Sequence, residues 1–356
     1  MTAPPRTKEI YNNMMYTAAA YLVENKTNTP FDEYLVQNIF KPLGMNSTYL
    51  HPKNTRAAGL GDRIASGYSW LEDEKRYIPV SCIDMPEAIG AGNIMSSVDD
   101  AIKYIKAMID HQSEPITESV YNGIVRGRMI TDSLEDPLQP LTSPAIYASG
   151  WQVSYYRGHC IIEHDGSEAG YASVHFFLPD LKFGGVIYGN SGGIGYVGPV
   201  LKHELIDELL NVPKDERPDW NKIESGAKDD EEETDEAKIR EIYPDIKEIG
   251  AQEKPLDLYT GVYMNPGYHN VRVTIKDGNL FIDASDRSMG FYLRFQHVSG
   301  QTDYVAWQSD WLEGGNEPIK AEFKFGPDGG HANVVGIKLE GSTDELIYFN
   351  WQKEIA

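Results

Sequence analysis

The sequence predicts an α+β domain, in which helices precede and cover an antiparallel sheet, followed by an all-β antiparallel barrel. Three observations carry this reading. Apolar residues recur at helical spacing in the first 110 residues and again near residue 200, short strands separated by Gly-bearing turns fill residues 148 to 190, and only strand patterns follow residue 256. A chain of 356 residues, 41% hydrophobic and 11% aromatic, is long and apolar enough for two or three folded domains.

Taken in order, Tyr16 to Glu24 reads as a helix with Ala18, Ala19, Leu22 and Val23 on one side. Phe31 to Phe40 reads as a second, with Phe31, Tyr34, Leu35 and Ile39 inward. Pro42 and Gly44 end it, because Pro42 cannot continue the hydrogen-bond ladder. A third helix runs from Val98 to Ile109, capped by Ser97 or Ser96, with Ile102, Ile105 and Met108 or Ile109 inward. Strands are expected at Trp151 to Tyr156, Cys160 to Glu163, Ser173 to Leu178 and Gly184 to Tyr188, and a closing helix at Val200 to Leu210. The first domain therefore covers residues 1–212.

Residues 213–254 are rich in charge and poor in large apolar groups, and Asp229 to Glu236 is a like-charge block, so this segment is expected to be a solvated acidic linker. The block has neither the turn glycine nor the ligand rhythm of a calcium loop. Residues 255–356 hold seven or eight short strands, with Lys276-Asp277-Gly278-Asn279 and Pro327-Asp328-Gly329-Gly330 between strands as hairpin turns, which points to a closed up-and-down barrel.

Charge and cysteine usage exclude several function classes. Thirty-two basic against 54 acidic residues give a net charge of −22, which repels nucleic acid and anionic membranes. Cys82 and Cys160 are far apart and lack ligand spacing, so neither a disulfide framework nor a zinc site is expected. No apolar run reaches the ~18 to 20 residues that span a bilayer, and the first residues lack the apolar core of a signal peptide. As written the chain reads as cytoplasmic.

Two groups of residues can carry chemistry. Tyr11-Asn12-Asn13 stands before the first helix; a tyrosine beside a cation can act as a base and an asparagine can orient an ammonium or a carbonyl, although the same residues also serve as a cap and a packed ring. His164-Asp165-Gly166 is expected on a sheet edge, where His164 can donate to an acyl group or oxyanion and Gly166 allows close backbone approach; a strand-end histidine bonded to a turn is the plainer reading. His159, Glu163 and His164 do not have zinc-protease spacing, and neither a metal nor another cofactor is expected.

Together these residues resemble the β-lactamase-related serine hydrolases. Tyr11-Asn12-Asn13, Phe40-Lys41-Pro42-Leu43-Gly44-Met45, Ala91-Gly92 with Ser96 and Asp99, Gly150-Trp151, and His164-x-Gly166 with Gly170 and Leu178-Pro179 follow one another in that family's order. The resemblance implies a partial β-lactamase/transpeptidase-like domain, with Tyr11 moving protons, Asn13 positioning, and His164 and Gly166 on the oxyanion strand. The substrate it implies is a small-molecule or peptide acyl compound. Residues 255–356 are similar to the lipocalin-like domains appended to some members.

The family's Ser-x-x-Lys lies before its Tyr-x-Asn, and here only ten residues precede Tyr11, none of them serine. The only Ser-x-x-Lys, Ser225 to Lys228, falls in the acidic segment. Three expectations follow: an N-terminally truncated hydrolase, a non-catalytic ligand- or partner-binding member of the fold, or an enzyme using Ser96 or Ser167 with His164 or His175. Loss of the nucleophile helix also leads us to expect exposed apolar surface and homo-oligomers.

Overall fold

Two units divide the chain in the computed structural model: Met1–Trp70 with Arg76–Asp229, and Leu71–Lys75 with Asp230–Ala356. The structure describes residue 4 and residues 6–71, 74–131, 138–225, 234–287, 289–327, 329–341, 343 and 345–353.

In the first unit, α1 (Asn13–Thr27) begins three residues earlier than its apolar spacing predicts, because the Asn12 side chain accepts from the Met15 amide at 3.0 Å and supplies the cap. Its inward residues are Tyr16, Ala20 and Val23. Ala18, Ala19 and Leu22, expected inward, are exposed. The docking of α1 decides this: Thr17 Oγ1 donates to the Glu87 carbonyl at 2.7 Å, and Gly90 lies so close that a Cβ on it would stand 2.0 Å from the Tyr16 carbonyl oxygen. α2 (Phe31–Leu35) continues as a π-helical turn over Val36–Phe40, within the expected span.

Short elements follow: β1 (Tyr49–Leu50), α3 (Pro52–Ala57), β2 (Gly67–Leu71), β3 (Arg76–Val80) and β4 (Ile94–Met95), with β1 pairing β4. α4 (Val98–Asp110) is capped by Ser97, whose hydroxyl accepts from the Asp100 amide at 3.2 Å. It buries Ala101, Ile105 and Met108, while Ile102, expected inward, is 39% exposed. Asp100 accepts from the Ser47 amide, the Thr48 hydroxyl and Lys103 Nζ at 2.6, 3.0 and 2.7 Å, which ties the segment after Pro42 to this helix. α5 (Glu118–Val125) completes this layer.

The main sheet contains β5 (Met129–Ile130), β6 (Ile146–Tyr147), β7 (Gln152–Tyr156), β8 (His159–Glu168), β9 (Tyr171–Leu178) and β10 (Phe183–Gly189), antiparallel and in the order β10-β9-β8-β7-β6-β5. Strand alternation sends Ile162 and Phe177 to one face, where they meet Ile105 and Met108 of α4. Ile161, Val174 and Phe176 go to the other, where they meet Ile206 of α6 (Ile194–Leu209). α6 starts six residues before the predicted Val200. Val197, Leu201, Leu205 and Leu209, four residues apart, are exposed along it.

The segment expected to be a solvated linker contributes to both units. α7 (Trp220–Glu224) places Trp220, 1% exposed, in the α6-side core, with its indole N–H donating to Asp207. α8 (Asp235–Ile242) buries Ile239 against Val298, Val305 and Trp307 of the second unit. Trp220 and Ile239, with Ile223 and Ile242 packed beside them, anchor these short elements despite their charge. Asp229 to Glu233 of the acidic block lie outside the described residues.

The second unit is a closed antiparallel barrel of β11 (Gly261–Asn265), β12 (His269–Lys276), β13 (Asn279–Ala284), β14 (Phe291–Ser299), β15 (Asp303–Asp310), β16 (Gly314–Phe325), β17 (Ala332–Ile337) and β18 (Ile347–Gln352), which closes when β18 pairs with β11. Asp277 and Gly278, at φ 50° and 76°, form the expected two-residue hairpin. Inside, Tyr259, Tyr263, Tyr304, Phe323 and Phe349 are buried and in one cluster, so aromatic rings occupy the interior.

Candidate active site

Tyr11, Tyr16, Tyr147 and His164 are drawn together from α1 and the sheet. The Tyr147 hydroxyl is 3.3 Å from His164 Nε2, and the Tyr16 hydroxyl donates to Tyr147 at 3.1 Å. The Tyr11 ring lies 6.3 Å from that of Tyr147 and 6.4 Å from that of His164, centroid to centroid. In register Tyr147 pairs with Gln152 and Gln152 with Glu163, the residue before His164, and the Tyr147–His164 contact forms where the β7–β8 ladder ends.

The His-x-Gly segment lies on an interior strand, whereas the sequence predicts an edge. Its ladder with β7 ends at Gln152–Glu163, however, and among the described residues His164 to Glu168 is laddered to β9 alone. The backbone beside Gly166 is therefore locally edge-like. A Cβ on Gly166 would press to 2.5 Å from Ser173 Oγ, so the position takes no larger residue without movement of that hydroxyl.

Tyr11 is 56% exposed, and its hydroxyl pKa is raised, first by burial and then by the acidic neighbours Tyr16, Glu9 and Glu168. This differs from the sequence expectation of a tyrosine made basic by an adjacent cation; the charges acting on Tyr11 hold its proton on. Asn13 is the first residue of α1 and is exposed, while Asn12 serves as the cap. Tyr16 and Tyr147 escape sequence reasoning because their contact spans 131 residues; the signal for Tyr147 was its place just ahead of Gly150-Trp151.

The serines considered as alternative nucleophiles do not join this group. Ser96 Oγ lies 2.8 Å from Thr48 Oγ1 and bonds to Tyr188, whose hydroxyl is 3.0 Å from His175 Nε2, so the reach from Ser96 to His175 runs through a tyrosine. His175 is buried enough to pull its pKa down to about 4, and Tyr188 is pushed up to about 12 by burial. Ser167 alternates to the strand face opposite His164. Two surface depressions, of about 550 and 680 Å³, are lined by His111, Gln112 and Thr117 to Ser119, and by Ser69, Trp70, Tyr77, Ser191 to Gly193 and Tyr196; His164 lines neither.

The family model described as "Beta-lactamase" matches residues 1–198, and one described as "Domain of unknown function (DUF3471)" matches residues 246–347. The chain is 31% identical over 352 residues to "Unguisins hydrolase ungD'" of Aspergillus campestris, covering 98% of this chain and 64% of that protein. It is 30% identical over 366 residues to "Unguisins hydrolase ungD" of Aspergillus violaceofuscus, covering 95% and 62%. The chain thus spans less than two thirds of these relatives. Among solved structures, the octameric penicillin-binding protein homologue from Pyrococcus abyssi superposes with a TM-score of 0.50 at 19% identity, covering 98% of this chain and 66% of that one. At that identity the likeness speaks to the fold.

Proposed function

Because this chain belongs to the beta-lactamase-related serine hydrolase family, we propose that it forms the substrate-side half of an acyl-serine hydrolase or transacylase acting on amides, esters or D-amino-acid peptides. Tyr11, Asn13, His164 and Gly166 line the acyl site in this reading, and the Ser-x-x-Lys nucleophile comes from polypeptide outside these 356 residues. The observation that carries it is the convergence of Tyr11 and His164, 153 residues apart in sequence, on one patch with their rings 6.4 Å apart.

The test is labelling with a fluorophosphonate or a fluorescent β-lactam. A longer form carrying an in-frame Ser-x-x-Lys upstream of Tyr11 is expected to label at that serine, and His164→Ala in it to slow turnover by about 10²-fold or more. Unlabelled longer protein, or wild-type rates in the His164 variant, would sink the reading. The acidic surroundings of Tyr11 also favour a second reading, a non-catalytic member of the fold that binds a ligand or partner. A longer form that binds an acyl substrate analogue without covalent capture supports it.

A further inference from the structure

We propose that Tyr147 is a positioning residue for His164: its hydroxyl holds Nε2 of the imidazole as a hydrogen-bond acceptor and so fixes the neutral ring with its proton on Nδ1. The direction of every bond in the chain follows from what each atom can do. His164 Nδ1 lies 2.6 Å from the Asp165 carbonyl oxygen, which can only accept, so Nδ1 bears the proton. Nε2 of that tautomer presents a lone pair, and its partner at 3.3 Å is the Tyr147 hydroxyl, which must donate. Tyr147 oxygen in turn accepts from the Tyr16 hydroxyl at 3.1 Å. Each hydroxyl has one proton and each is used.

The surroundings keep the arrangement in place. Burial raises the Tyr147 pKa, and the neighbouring Tyr16, Tyr11 and Glu9 raise it further, so its hydroxyl remains a donor. The groups facing His164 are Tyr147 from β6, Tyr11 and Tyr16 from the α1 side, His175 across the ladder on β9, and Asp165 on its own strand. His175, buried with its pKa down to about 4, adds no charge at neutral pH.

The consequence is chemical. In this state His164 offers no N–H from Nε2 to the open patch and can donate there only after taking up a proton. Loss of the Tyr147 hydroxyl frees Nε2 to do either. The bearing of this on acyl transfer rests on the function proposed above; the tautomer itself does not.

The experiment is long-range ¹H–¹⁵N NMR of the histidines in this chain, with His164 assigned through His164→Gln. We expect wild-type His164 to be protonated at Nδ1 and unprotonated at Nε2. We expect Tyr147→Phe to move the Nε2 resonance, because the bond to that nitrogen's lone pair is gone. Tyr16→Phe should move it the same way by less. An Nε2-protonated wild-type ring, or an unchanged Nε2 resonance in folded Tyr147→Phe, would overturn the proposal. Where Tyr147→Phe does not fold, the wild-type tautomer decides. None of these readouts needs an acyl-serine, so they stand or fall apart from the labelling test.

Discussion

Lys202 on α6 bonds to Glu163 on β8 from the face of the sheet opposite His164, the very next residue of that strand. Both side chains are largely removed from water, at 7% and 17% exposure. The pair clamps the helix to the strand immediately behind the candidate site.

Removing one partner is expected to cost more than removing both. Lys202→Met should destabilise the first unit by about 3–5 kcal/mol, since it strands a buried carboxylate, and adding Glu163→Leu should recover part of that loss. Urea denaturation monitored by tryptophan fluorescence checks this. A single variant as stable as wild type would show the clamp to be dispensable.

Stability should fall on the acid side of neutrality. Burial holds the folded pKa of His175 down to about 4 and that of His203 down to about 3, whereas both titrate near 6.5 when unfolded. The unfolded chain therefore binds more protons between these limits. The stabilisation is fully present above pH 6.5 and is lost as pH falls towards 4 and then 3, at up to about 1.4 kcal/mol per pH unit for each group. His203→Phe, which preserves the stacking on Trp220 at 3.7 Å, should flatten the slope measured by denaturation at pH 7 and pH 5.

Trp220 should behave as a core residue despite its charged neighbourhood. It is 1% exposed, stacks on His203 and donates to Asp207, which also accepts from the Tyr156 hydroxyl at 2.7 Å. Trp220→Ala is expected to cost about 3–5 kcal/mol. A loss below about 1 kcal/mol would return residues 213–224 to the status of a linker.

Neither Ser96 nor Ser167 should act as a nucleophile. Ser96 is committed to Thr48 and Tyr188 and, among the described residues, bonds no histidine directly, and Ser167 points from the wrong face of β8. Treating this purified chain with a fluorophosphonate is expected to leave both unmodified by mass spectrometry. Labelling abolished by Ser96→Ala or Ser167→Ala would contradict this.

Residues that act through periodicity were legible in the sequence. Ile105 and Met108 on α4, and the alternation along β9, follow from spacing alone. Other features depend on partners that local pattern does not name. α1 carries apolar residues on more than one side, and the approach of Gly90 to Tyr16 selects which side turns inward. α7 and α8 each carry only a pair of packed apolar residues, Trp220 with Ile223 and Ile239 with Ile242, although Asp219 and Thr234 cap them and could have marked their starts. At the candidate site, Tyr11 and His164 were readable through motif order, while Tyr16 and Tyr147 enter through long-range side-chain contacts, which composition and spacing leave open.

The aromatic rings that fill the barrel decide where it can meet anything else. A calyx that carries a guest needs room at its centre, and here Tyr259, Tyr263, Tyr304, Phe323 and Phe349 stand where a guest would lie. What this domain leaves accessible is its outer wall and its connecting loops.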